Sequence, residues 1–369
     1  RFQNEIKYQS NQFIFADANP NALNYQQYFN YTGLVGEAML FQDNWKRLTN
    51  EFSLVSFPEK TNPNQYLQIG IGYQQLNFKD TLIRWSNHDV YGLGVYKNKT
   101  KNLRWDLQAS GKLFLNGYHA GDYEAQFSLS SLVNKKGDKL ELWMQNSNRT
   151  PSFNRLGITA FPMVESLKID KENIIEVGGL WEQKKPGIGA SIQYKLIQNY
   201  LYFGSGYQPK VYDKTLSYIR GTITHQLKLS RYWNWYNEFT LQVIDPNAPL
   251  HLPVLFTRQR LAFEGNFFKN LYLSTGLELI YHSSYQPDGY MPLTGQFYLQ
   301  DQFTTNNRPI ANAFLNFRIN RFKGFIRMEQ LNTLLATSNQ LGTRYNFTAP
   351  NNPGTGTWLR VGIWWNFIN

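Results

Sequence analysis

The chain has 369 residues, a formal net charge of +11 and no cysteine, which excludes a disulfide framework and any thiolate metal site. Its mean hydropathy of −0.49, with no apolar run of the roughly 18 residues a membrane helix needs, excludes a helical membrane bundle. Yet 26 Phe, 24 Tyr and 10 Trp make it unusually aromatic for a water-soluble protein. A β-barrel resolves the conflict, because only alternate strand residues need be apolar and aromatics collect at the two membrane interfaces.

The chain opens on Arg1-Phe2-Gln3, with neither Met nor a signal-like apolar stretch, which reads as a processed or incomplete N-terminus lacking an earlier segment. Period-two segments then follow one another along the sequence. Apolar faces are Leu67/Ile69/Ile71/Tyr73, Leu103/Trp105/Leu107/Ala109, Ile175/Val177/Gly179/Trp181 and Ile188/Ala190/Ile192/Tyr194/Leu196. Later ones are Phe239/Leu241/Val243, Leu261/Phe263/Gly265/Phe267, Leu271/Leu273/Thr275/Leu277/Leu279 and Ala311/Ala313/Leu315/Phe317/Ile319. No composition break divides the chain, so residues 1–369 read as a single barrel domain.

Much of the positive charge sits in short turns such as Lys97-Asn-Lys-Thr-Lys101 and Lys135-Lys136-Gly-Asp-Lys139. Such charges are solvated tips rather than a groove that could track phosphates, so nucleic acid is not an expected partner.

Turn lengths predict the topology. Gln198-Asn199-Tyr200, Ser230-Arg231-Tyr232, Lys269-Asn270 and Asn320-Arg321-Phe322-Lys323 read as tight periplasmic connections. They alternate with the longer stretches 245–256, 283–309 and 332–356, rich in Pro, Asn, Gly and Thr, as extracellular loops should. The alternation, followed back from the C-terminus, predicts an up-and-down antiparallel barrel of about 18 strands, with 14 or 16 also compatible. By this parity, region 150–171 becomes a long periplasmic connection.

The final stretch, Trp358 to Asn369, is the most telling. Leu359, Val361, Ile363, Trp365 and Phe367 form one wholly apolar face, while Arg360, Gly362, Trp364 and Asn366 form the other. That is the alternation of a closed sheet whose outer face meets lipid. A last strand ending in aromatics also resembles the terminal signal read by the barrel assembly machinery of bacterial outer membranes. The expected location is therefore the outer membrane, in contact with its lipid and lipopolysaccharide.

The opposite phase holds the chemistry. Arg220, Lys228, Arg258, Arg260, Glu264, Arg318, Arg327, Glu329 and Arg360 all fall on predicted inward faces, and the later arginines come from strands close in sequence order. Glu141, Glu176, Glu182, Glu238 and Glu278 spread over the rest of the wall, as a basic stripe facing an acidic one would be encoded. A lumen plugged by salt bridges is the alternative reading of these residues. The five histidines, His88, His119, His225, His251 and His282, have no metal-ligand spacing. His225 falls on the apolar phase without the Ser and acid that a nucleophilic site requires, so neither an enzyme nor a cofactor or metal protein is expected.

The segment Leu252-Pro-Val-Leu-Phe-Thr-Arg-Gln-Arg-Leu-Ala-Phe-Glu-Gly-Asn-Phe-Phe-Lys-Asn-Leu-Tyr-Leu-Ser-Thr-Gly-Leu-Glu-Leu-Ile-Tyr281, followed by Thr294-Gly-Gln-Phe-Tyr-Leu-Gln300, resembles the "putative porin" family of Bacteroidota outer membranes. The likeness is most specific over residues 250–335, where Arg258, Arg260 and Glu264 lie. It implies a barrel in the outer membrane, an N-terminal region that this chain lacks, and no catalytic residues. Two functions follow as expectations. The first is a porin-like channel for passive diffusion of small polar or anionic solutes. The second is a non-conducting barrel subunit of a larger outer-membrane complex for secretion, assembly or uptake.

Overall fold

The computed structural model describes residues 1–29, 36, 38–79, 84–134, 137–156, 170–204, 207–268, 270–305, 307–334, 346–350 and 352–366. Sixteen strands form one antiparallel sheet, each paired with its neighbours in chain order. They are β1 (Phe2–Asp17), β2 (Met39–Ser56), β3 (Gln65–Lys79), β4 (Arg84–Lys99), β5 (Trp105–Gly117), β6 (Tyr123–Leu132), β7 (Lys139–Arg149) and β8 (Glu172–Gln183), continuing with β9 (Ile188–Gln198). After two short strands outside the wall come β12 (Leu216–Lys228), β13 (Trp233–Ile244), β14 (Leu255–Phe267), β15 (Leu271–His282), β18 (Ile310–Ile319), β19 (Phe322–Glu329) and β22 (Trp358–Trp365). Among the described residues β1 and β22 are not paired with each other, so the sheet keeps two free edges and the barrel is not closed.

The period-two faces fold as their alternation dictates. On β3, Leu67, Ile69, Ile71 and Tyr73 are exposed outward, while Gln74, Leu76 and Phe78 on the opposite phase are buried. The same split puts Leu140, Leu142 and Met144 of β7, and Phe239, Leu241 and Val243 of β13, on the exposed face. On β22, an edge strand, both phases are exposed: Leu359, Val361, Ile363 and Trp365 on one, Trp358 and Trp364 on the other. Phe367 lies outside the described residues.

The strand count falls within the expected range but two below the preferred figure, and the chain between β9 and β12 accounts for one of the two. Gln198-Asn199-Tyr200 is not a tight hairpin within the wall. Asn199 does reverse the backbone, with φ +55°, but it leads into β10 (Tyr200–Phe203). That strand pairs only with β11 (Pro209–Tyr212), as a small separate sheet. Counting the segment after Tyr200 as wall inserts one strand too many and reverses the parity of everything before it. Region 150–171 is thereby moved from the short-turn end to the end of the long connections 245–254 and 283–309. Leu103 is a smaller correction: it precedes β5 in a turn with φ +56°, so the apolar face there begins at Trp105.

The long connections meet one another. Helix α1 (Ala22–Phe29), between β1 and β2, contributes Tyr25; the β9–β12 connection contributes Tyr207. The hairpin of β16 (Gly289–Met291) and β17 (Gln296–Tyr298), between β15 and β18, contributes Met291 and Leu293. With Met39, and with Phe15, Phe41 and Tyr298 packed around them, these side chains form one apolar cluster. Segments far apart in sequence thus close over one end of the sheet. A further small pair, β20 (Phe347–Ala349) with β21 (Asn352–Pro353), lies in the β19–β22 connection.

Candidate functional site: a charge ladder on the inner wall

Residues directly opposite one another in an antiparallel sheet share a face, so the register decides which charges meet. Arg260 of β14 stands opposite Glu278 of β15, which stands opposite Asn312 of β18. Arg327 of β19 stands opposite Arg360 of β22. All lie on the phase opposite the exposed apolar face.

Glu278 is the hub. It is only 2% exposed, and its Oε2 accepts from Arg258 Nε at 2.7 Å and Nη2 at 2.5 Å. Its Oε1 accepts from Arg327 Nη2 at 2.6 Å and from Asn312 Nδ2 at 3.2 Å. Arg327 also faces Glu329 at 3.2 Å, and Glu329 pairs with Arg360 at 3.0 Å. The sequence Arg258–Glu278–Arg327–Glu329–Arg360 is therefore a ladder of alternating charge crossing five strands. A fork of guanidinium donors on a buried carboxylate is among the stronger polar contacts available to a protein.

Nearer the short-turn end lies a second group. Glu264 accepts from the Tyr236 hydroxyl at 3.0 Å and from the Tyr272 hydroxyl at 3.3 Å. Arg260 donates to Ser274 Oγ at 3.2 Å and stacks over the rings of Phe314 and Tyr236. Arg318 stacks over Tyr272. Between β8 and β14 the same inner face opens into a cavity of about 470 Å3, lined among others by Glu182, Thr224, Gln226, Glu238, Arg258 and Arg260.

The structure brings together Arg258, Arg327, Glu329 and Arg360, and places Arg260, Glu264 and Arg318 beside them. Arg220 and Lys228 stand apart on β12, opposite Gln242 and Asn234, and make no ion pair among the described residues. The expectation of a basic stripe facing an acidic one is corrected, because Glu278 sits inside the basic stripe. The hub was legible only through register: Glu278 is three strands from Arg360, but one cross-strand position from Arg260.

The profile of a family described as "Putative porin" matches residues 1–369. The chain belongs to that family. Its members are outer-membrane barrels, which places the exposed apolar face of this wall against the lipid of that membrane. No curated protein matches the chain. Solved structures with a similar fold include the copper transporter OprC, at TM-score 0.69 and 10% identity over 98% of this chain and 61% of that one. The ferric enterobactin receptor PfeA in complex with BCV-L6 gives TM-score 0.65 at 10% identity, covering 98% of this chain and 59% of that one. The iron transporter FrpB from Neisseria meningitidis gives TM-score 0.60 at 8% identity, covering 96% and 59%. At these identities the likeness is one of fold, and the chain spans about three fifths of the length of the proteins it matches.

Proposed function

We propose that this member of the family builds an outer-membrane channel for passive diffusion of small polar or anionic solutes, selected by the arginine-bearing inner wall. The supporting observation is the ladder, in which three guanidiniums face two carboxylates and leave a fixed positive excess. Arg258 and Arg360 keep side-chain exposures of 44% and 61%, so each still offers donors to a passing anion. Fixed charge along a narrow, poorly hydrated path selects ions by sign. Arg220 and Lys228, on the same phase and without an ion pair among the described residues, extend that field. Leu359, Val361, Ile363 and Trp365 would contact lipid and lipopolysaccharide.

Planar-bilayer recording tests the proposal. The purified protein should give discrete conductance steps with a preference for anions. Replacing both Arg258 and Arg260 with Ser should move the reversal potential towards cations. Absence of steps, even after loops 283–309 and 332–356 are deleted, would rule the open channel out.

One observation favours the second reading, a non-conducting subunit of a larger outer-membrane complex. The apolar cluster of Tyr25, Met39, Tyr207, Met291 and Leu293 joins loops across one end of the sheet, as a plug would. A stoichiometric partner retained through gentle detergent extraction, together with silent bilayers, would support that alternative.

A further inference from the structure

Away from the ladder, residues 150–155 fold back over β2 and the β5–β6 turn. Phe153 seats against Trp85 and Tyr118, with ring centroids 4.9 and 5.3 Å away. Beneath it lies a cavity of about 270 Å3 whose lining includes Arg47, His119, Arg149, Thr150, Ser152 and Arg155, with Glu172 at its base.

The carboxylates around this cavity are already saturated. Glu172, 1% exposed, accepts Arg149 Nε and Nη2 on Oε2 at 3.2 and 3.1 Å. Its Oε1 accepts the Leu201 amide at 3.0 Å and lies 3.5 Å from Arg155 Nη1. Asp89, fully buried, takes Gln74 Nε2 at 2.7 Å, the His119 amide at 2.7 Å and His119 Nδ1 at 2.8 Å. Asp122 is occupied by Lys171 and by the amide and hydroxyl of Thr150. Arg47 has no ion-pair partner among the described residues.

Three guanidiniums thus border a half-open cavity with one carboxylate between them. Each guanidinium has five N–H donors, and most of these are not used by any neighbouring acid. Phe153 screens one side of the cavity from water, which strengthens attraction to a bound charge there. We infer that this cavity binds a small tetrahedral oxyanion of the phosphate class, held by Arg47, Arg149 and Arg155. The volume admits inorganic phosphate or the head of a small phosphate monoester. The inference goes beyond the channel reading and does not require conduction.

Equilibrium dialysis of the full chain in detergent against radiolabelled inorganic phosphate tests it. One saturable site is expected, displaced by sulfate and by glycerol phosphate but not by chloride at equal concentration. Arg47→Gln should weaken binding at least tenfold, because it removes a donor without orphaning a carboxylate. Arg155→Gln, assayed alongside, should weaken it similarly and guards against a folding defect in the first variant. No saturable binding at millimolar phosphate, or full binding in both folded variants, would overturn the assignment. Displacement by sulfate but not by glycerol phosphate would assign the site to the free anion, and displacement by both would admit esters.

Discussion

Arg327 and Arg360 stand directly opposite each other on β19 and β22, two like charges at a position where repulsion destabilises a sheet, and Glu329 bridges them. Among the described residues β22 is hydrogen-bonded to the wall on one side only, through β19. Glu329→Gln should therefore loosen the last strand more than the wall. Arg360 is largely exposed, so the loss is kept near the surface-pair range, about 1 kcal/mol. Amide hydrogen exchange over Trp358–Trp365 should accelerate several-fold while exchange in β14 is unchanged. Equal rates in parent and variant would refute the bridging role.

Glu278 presents the larger liability. It is buried, while its partners Arg258 and Arg327 keep side-chain exposures of 44% and 34%. Glu278→Gln leaves two guanidiniums without their shared counter-charge. The expected cost is about 3 kcal/mol, the lower end for breaking a buried pair, because both arginines can still reach water. The heat-induced gel shift of the detergent-folded barrel should move to lower temperature. Adding Arg327→Met should recover part of that loss; a double variant no more stable than the single one would show that the pair is not coupled.

How much of this was legible follows from which forces are local. Strand phase was readable at Leu67–Tyr73 and Leu359–Trp365 because alternation is a property of consecutive residues. The inward phase of Arg258, Arg327 and Glu329 followed from the same rule. Glu278 as hub was not, since its partners are chosen by register across β14, β15, β18 and β19. The connection from β9 to β12 misled because Gln198-Asn199-Tyr200 has the composition of a tight turn, and only pairing shows that the strand after it joins β11 rather than the wall. The cluster of Arg47, Arg149, Arg155 and Glu172 joins residues up to 125 positions apart in sequence number. No spacing rule reaches that far.

Asp288, in the loop before β16, gives a pH signature outside the wall. Burial pushes its carboxyl above the ordinary value, opposed by the charge of His251, and its Oδ1 has no hydrogen-bond partner. A carboxyl raised in the folded state favours the proton-bound fold, so stability falls as pH rises from the unfolded value through the folded one and then levels off. Asp288→Asn removes that loss. The variant should melt above the parent at pH 7, and the gap should close below about pH 4, where the acid is neutral in both states. A gap independent of pH would mean that ionisation of Asp288 is not its source.

Gly295 holds the cap in place. It sits at the tip of the β16–β17 hairpin with φ +64°, a conformation that costs a β-branched residue dearly. A Cβ there would come within 2.5 Å of the Phe13 ring on β1. The hairpin therefore crosses to the opposite edge strand by a contact only glycine permits. Its neighbours Met291 and Leu293, 1% and 0% exposed, lock into the cluster with Tyr25 and Tyr207. Burial of each such side chain stabilises by about 1.5–3 kcal/mol, so the cap is worth more than one strained residue, yet strain and clash act together at its tip. Gly295→Val should unseat the hairpin without unfolding the wall, because no wall pairing involves residues 289–298. Single-channel conductance should rise and fluctuate more, while the heat-induced gel shift stays within a few degrees of the parent. If the variant folds with its hairpin displaced, as proteolysis within 283–309 would reveal, and the current is unchanged, the cap does not limit flow through the barrel.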